Sequence, residues 1–267
     1  MRSSINAGGL MVTAAMLCAS GLACAAGAEK TDEAGIAVKV GYDHTVGKYG
    51  LLRDSTADTT SFTATYDTDN YSLDLLIPYV KQTGPGRLQI IVGQRGGIVV
   101  VSGPAQVARG IGDVTAGINR YVLNEEDHGI DFDLGANYKF GTASDTKQLG
   151  TGKNDLAVQF VVGRSVGDFN SALTTGYTFV GKPPGLGYRN SWFSSFDSSY
   201  RFSKMISLGA TYSASGSTIT GLPGPRDITG YLNFKLNKKL RFELYYLKGR
   251  NSQSPDRGTG ITGTFDF

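Results

Sequence analysis

Three charged residues far apart in the chain, Asp113, Lys139 and Asp155, carry the sharpest chemical pattern in this sequence. Each lies near one end of a segment with period-two alternation, and by phase all three point to the same side. On adjacent antiparallel segments the lysine would sit between two carboxylates, an arrangement that cross-strand pairing favours. Two roles fit such a trio: a clamp that holds loop bases at a rim, or a direct contact with a passing solute. At the opposite ends of the alternating segments Lys39, Arg201, Lys235, Arg241, Glu243 and Asp266 face the same interior. Mixed rings of this kind line polar passages, and they also satisfy one another in narrow interiors.

A third set is apolar where polar residues are expected. Leu76, Pro78 and Val80 take the inward phase, and LQIIVGQRGGIVVV (88–101) is too apolar for a bare surface loop. The segment reads as an extension of the neighbouring strands above the membrane, as an extra hairpin that would raise the strand count to fourteen, or as a gate or plug folded into a mouth. In the last case Ile90, Ile91, Ile98 and Val99 would meet Leu76, Pro78 and Val80.

Catalysis finds little support. His128 falls in the turn NEEDHG, where solvation explains it, and His44 shares an outward phase with Tyr42. A serine hydrolase needs a base within hydrogen-bond reach of its nucleophile, and the two histidines are poorly placed for that. No His/Cys spacing suggests a metal, and no motif suggests a cofactor. GTGKND (150–155) fails as a phosphate loop, because position 147 is Lys rather than Gly and Asn154 replaces Ser/Thr. Cys18 and Cys24 both fall in the leader described below. The formal charge of +3 is spread without a long Lys/Arg run, so nucleic acid is not an expected partner.

The elements that must position these residues are strands. Ile130, Phe132, Leu134, Ala136, Tyr138 and Phe140 alternate with Asp131, Asp133, Gly135, Asn137 and Lys139. The same rule predicts strands over 35–45, 59–67, 70–81, 110–123, 129–141, 154–165, 169–181, 190–202, 205–216, 227–236, 240–248 and 259–267. Alternation alone does not separate a membrane barrel from a soluble sandwich, but the connections do. Short links at 67–70, 124–128, 166–168, 203–204 and 237–239 alternate with long ones at 46–58, 82–109, 142–153, 182–189, 217–226 and 249–258. Short periplasmic turns, long outer loops and an even strand number characterise outer-membrane barrels. The expectation is an all-β, up-and-down antiparallel transmembrane barrel of about twelve strands in the bacterial outer membrane.

Both termini agree with it. Arg2, the apolar run Leu10–Leu22 and Ala26-Gly27-Ala28 read as a cleavable signal peptide over 1–28, leaving 29–267 as the barrel domain; Cys24 sits in a poor lipobox. At the other end Ile261, Gly263, Phe265 and Phe267 share one face. Phe265 and Phe267 then belong to an aromatic girdle and to the signal read by the barrel-assembly machinery, with outer-membrane lipid as the surrounding partner.

IPYV (77–80), GIGD (110–113), GTGKND (150–155) and GY (176–177) resemble the outer-membrane proteins of the phenol meta-cleavage-pathway type over roughly 36–267. The resemblance maps the family's glycine–aspartate motifs to Gly110, Gly112, Asp113, Gly150, Gly152 and Asp155. It implies a channel or facilitator for small aromatic or apolar compounds and supplies no catalytic residues. Three function classes remain open from sequence: a small-solute channel, a structural or adhesive barrel with a filled lumen, and an outer-membrane lipid hydrolase.

Overall fold

The computed structural model describes residues 35–49, 51–84, 88–89, 98–99, 106–144, 147, 149–182 and 187–267. Its strands are β1 (Gly35–Gly47), β2 (Ser55–Asp67), β3 (Tyr71–Gly84), β4 (Leu88–Gln89), β5 (Ile98–Val99), β6 (Gln106–Ile111), β7 (Thr115–Leu123), β8 (Asp131–Lys139), β9 (Asp155–Val166), β10 (Phe169–Phe179), β11 (Ser191–Arg201), β12 (Ile206–Ser215), β13 (Arg226–Lys235), β14 (Leu240–Gly249) and β15 (Arg257–Asp266). Every pairing is antiparallel, β1 to β3 and β7 to β15 lie beside their sequence neighbours, β3 pairs with both β6 and β7, and β15 pairs with β1 from Ala37↔Asp266 to Val46↔Arg257. The sheet is therefore a closed barrel. Closure of the ring through β7 pairs its strands on both sides, which is what lets strands span a membrane; among the described residues β6 is paired on one side only, with β3.

Side-chain burial runs opposite to that of a soluble protein. On β3 the inward residues Ser72, Asp74, Leu76, Pro78, Val80 and Gln82 are buried, while Leu73, Leu75, Ile77 and Tyr79 are exposed on the outside. The same inversion holds on β9, where Asp155, Ala157, Gln159 and Val161 are buried and Leu156, Val158 and Phe160 are exposed. Alternating side chains of a strand must point to opposite faces, so period two in the sequence becomes a polar interior and an apolar exterior.

Aromatic pairs two residues apart mark both rims. Tyr138–Phe140 and Tyr177–Phe179 stand at one end, Tyr200–Phe202 and Phe265–Phe267 at the other, all edge-to-face with ring centroids 4.9–5.3 Å apart. Such girdles flank the apolar band of membrane barrels.

Four departures from the sequence reading have physical reasons. The barrel has twelve positions, and the fourth is filled by two strands, β6 and β7, which pair with the upper and lower halves of β3. Residues 106–109 of β6 fall in the expected 82–109 loop, because the upper half of β3 needs partners for its backbone groups. Among the described residues β4 and β5 pair only with each other, as a two-stranded sheet apart from the barrel sheet, so the barrel count there is twelve and not fourteen. β2 begins at Ser55, four residues before the expected start, since Ser55–Asp58 pair with β1 across Val46 and His44. The NEEDHG segment contains one helical turn, α1 (Glu125–His128). Asn124 caps it by accepting from the Asp127 N–H at 2.9 Å, and Gly129 ends it at φ 75°.

Candidate functional site in the barrel lumen

The interior is built from two kinds of polar contact. The first is the trio at the outer end. Lys139 and Asp155 are directly opposed in the β8–β9 register, and Asp113 lies in the break between β6 and β7, two residues before the partner of Lys139, Thr115. The structure brings all three together: Lys139 Nζ is 3.1 Å from Asp113 Oδ2 and 2.8 Å from Asp155 Oδ2. All three are deeply buried, with Lys139 only 1% exposed. The weak strength of an exposed ion pair, about 0–1 kcal/mol, therefore does not describe them.

The second oxygen of each carboxylate holds a loop. Asp113 Oδ1 accepts from the Ala143 N–H and Asp155 Oδ1 from the Gly181 N–H, each at 2.9 Å. Lys139 donates to Thr151 Oγ1 at 3.2 Å. The β8–β9 connection is further tied down by Leu149, packed with Ala108 and Ala143, and by Asn154, which accepts from the Gly141 N–H and donates to Tyr138 Oη. The GTGKND motif thus anchors a loop and makes no phosphate cradle. Tyr188, in the β10–β11 connection, is packed with Val180 and Ile219. Its phenol is pushed up to about 12, first by burial and then by the negative charge of Asp155.

The second kind of contact was not foreseen from sequence. Tyr231 donates to Asp197 Oδ1 at 2.9 Å, Thr211 donates to Asp197 Oδ2 at 2.6 Å, and Tyr245 donates to Asp43 Oδ1. Both tyrosines point inward, although most aromatics on the strands point out. Their rings sit against glycines directly opposite them, Tyr231 against Gly209 and Tyr245 against Gly260. A Cβ at Gly209 would stand 2.2 Å from the Tyr231 ring, and one at Gly260 would stand 2.3 Å from Tyr245. An aromatic in the inward phase facing an inward glycine is the sequence signal that could have located them.

The other sequence-picked residues are distributed as follows. Arg241 reaches Asp266 at 2.9 Å, and Glu243 is buried two residues further up β14. Lys39 lies near Asp74 and Asp67. Lys235 ends β13 on the inward phase. Arg201 departs from the interior role: it is exposed and pairs with Asp168 in the β9–β10 turn at 3.0 Å. At a strand end its long side chain reaches the neighbouring turn more readily than the lumen. Leu76, Pro78 and Val80 are buried and inward beside the β6–β7 break, where the Gly112 N–H donates to the Pro78 carbonyl at 2.8 Å. Ile90 and Ile91 lie outside the described residues, and for Ile98 and Val99 only the backbone pairing in β5 is described. Phe267 continues the closing seam, its N–H donating to the Ile36 carbonyl at 2.9 Å.

No family model matches the chain, and no curated protein matches it. Solved structures do. The COG4313 outer membrane channel from Pseudomonas putida F1 superposes with TM-score 0.68 at 13% identity, covering 89% of this chain and 97% of that one. The NanC porin gives TM-score 0.51 at 10% identity over 87% and 98% of the two chains. The translocator domain of the autotransporter NalP from Neisseria meningitidis gives 0.51 at 13% identity over 89% and 90%. At such low identity these likenesses establish the fold: the chain is a closed antiparallel barrel of the kind found in outer-membrane proteins.

Proposed function

We propose that this protein is an outer-membrane channel or facilitator for small solutes. The observation that carries the reading is the inverted wall, with an apolar exterior between aromatic girdles and an interior of carboxylates, hydroxyls and amides. An interior of that chemistry lets a polar or amphipathic solute exchange its water shell for wall groups, as pore linings do. Two of the solved structures it resembles carry the words channel or porin in their names, which supports the same reading. Small aromatic or apolar compounds are the proposed solutes on the strength of the resemblance to the phenol meta-cleavage-pathway type alone. Single-channel recording of the purified, refolded barrel in planar bilayers tests the proposal. Discrete conductance steps, reduced or interrupted by millimolar phenol or catechol, are expected; silent bilayers would overturn the channel reading.

One observation favours a second reading, a structural barrel with a filled interior as small barrels often have. Inward side chains at mid-height, among them Thr211, Thr229, Asp197 and Tyr231, are at most 2% exposed. Folded barrels that pass neither ions nor solutes would decide for it. Within the channel reading the apolar segment 88–101 is the proposed element that restricts entry from the outer side; residues 90–97, 100 and 101 of it lie outside the described residues.

A further inference from the structure

One row of outward side chains crosses four strands at a single register. His44 on β1 is opposite Asp58 on β2, Asp58 is opposite Lys81 on β3, and Lys81 is opposite Arg109 on β6. In each strand this row follows the apolar exterior. Val40 and Tyr42 precede His44, Leu73, Leu75, Ile77 and Tyr79 precede Lys81, Phe62 and Ala64 lie on the membrane side of Asp58, and Ile111 lies there for Arg109. Lys81 is ten residues along β3 from Tyr71. At about 3.4 Å per residue and a tilt of about 40° the rise is roughly 26 Å, close to the ~25 Å height of the apolar band of such barrels. The row therefore stands at the depth of lipid headgroups.

Its charges do not balance. Lys81 and Arg109 face each other directly, a like-charge arrangement that destabilises a strand pair. The one carboxylate in the row is shared: Asp58 Oδ1 is held by Tyr42 Oη at 3.0 Å and His44 Nδ1 at 2.7 Å, and Asp58 Oδ2 is 4.0 Å from Lys81. Arg109 forms no ion pair with any described residue. An exposed ammonium and an exposed guanidinium side by side, above an apolar wall, offer a point charge and a planar fork of donors suited to phosphate oxygens.

We propose that Lys81 and Arg109 bind the phosphate group of an outer-leaflet lipid whose acyl chains lie along Leu75, Ile77, Tyr79 and Ile111. The inference rests on the outer-membrane placement proposed above and not on the pore being open. An anion there would screen the Lys81–Arg109 repulsion, while the acyl chains add apolar contact that a free phosphate lacks.

The test is native mass spectrometry of the folded full-length barrel in detergent, with diphosphorylated lipid A, its dephosphorylated form and inorganic phosphate as separate probes. The expected result is one retained molecule of diphosphorylated lipid A on the parent protein. Occupancy should fall at least about tenfold in K81S/R109S and stay unchanged in R164S, which removes an outward arginine near the other end of β9. Folding of each variant is read independently from the heat-dependent gel shift, and both positions are exposed, so a folded K81S/R109S protein is expected. Equal retention by K81S/R109S, equal retention of the dephosphorylated lipid, or displacement by millimolar inorganic phosphate would each overturn the proposal. If the parent retains no diphosphorylated lipid A while conducting normally in bilayers, the row fails and the channel reading survives.

Discussion

Lys139 shows how much a single buried charge can matter. Its ammonium is enclosed by Asp113 and Asp155 at 3.1 and 2.8 Å, so truncating it leaves two buried carboxylates facing each other. Breaking a buried pair on one side typically costs about 3–5 kcal/mol. Lys139→Met should therefore lower the unfolding free energy, read from denaturant titration of the folded band on gels, by an amount in that range; a loss under about 1 kcal/mol, at about the level of an exposed pair, would deny the trio its clamp role. Tyr188 supplies a pH test. Its folded-state value is raised to about 12 from an ordinary value near 10, so folding favours its neutral form. The stability linked to this neutral form is complete below about pH 10 and is lost as pH rises towards 12. The difference in phenolate absorbance between the parent and Tyr188→Phe should then titrate near pH 12. A difference titrating near pH 10 would place Tyr188 in solvent.

At the scale of elements, the seam between β15 and β1 and the divided fourth position decide closure. Phe267 extends the seam by one hydrogen bond to Ile36 and packs edge-on against Phe265 at 4.9 Å. Removing it shortens the closing strand and takes one ring from the girdle. Deletion of Phe267 should reduce the folded fraction recovered in outer membranes several-fold, measured as the heat-modifiable band. Recovery equal to the parent would assign the terminal aromatic no part in assembly. The long strands with clean alternation were legible in sequence because period two is a local signal. For β6 the sequence offered strand extension only as one of several readings, since QVARGI lies next to glycine and proline residues and gains strand structure from the unpaired upper half of β3.

For the whole molecule, the remaining question is what the barrel admits. Replacing 88–101 by a short Gly-Ser link should leave the twelve-position barrel folded and raise single-channel conductance or solute uptake. A truncated barrel that folds and conducts like the parent would end the gate reading. The sequence by itself determined the barrel, its orientation of short and long connections, its outward belt and the inward phase of Asp113, Lys139 and Asp155, because each follows from alternation and spacing along one strand. Only the tertiary structure decided that this trio is buried with its free oxygens on two loop backbones, that Tyr231 and Tyr245 reach Asp197 and Asp43, that Arg201 turns to Asp168, and that Lys81 meets Arg109. Those facts depend on register between strands and on where loops come to rest. Both are set by closure around the whole ring, and no local pattern encodes them.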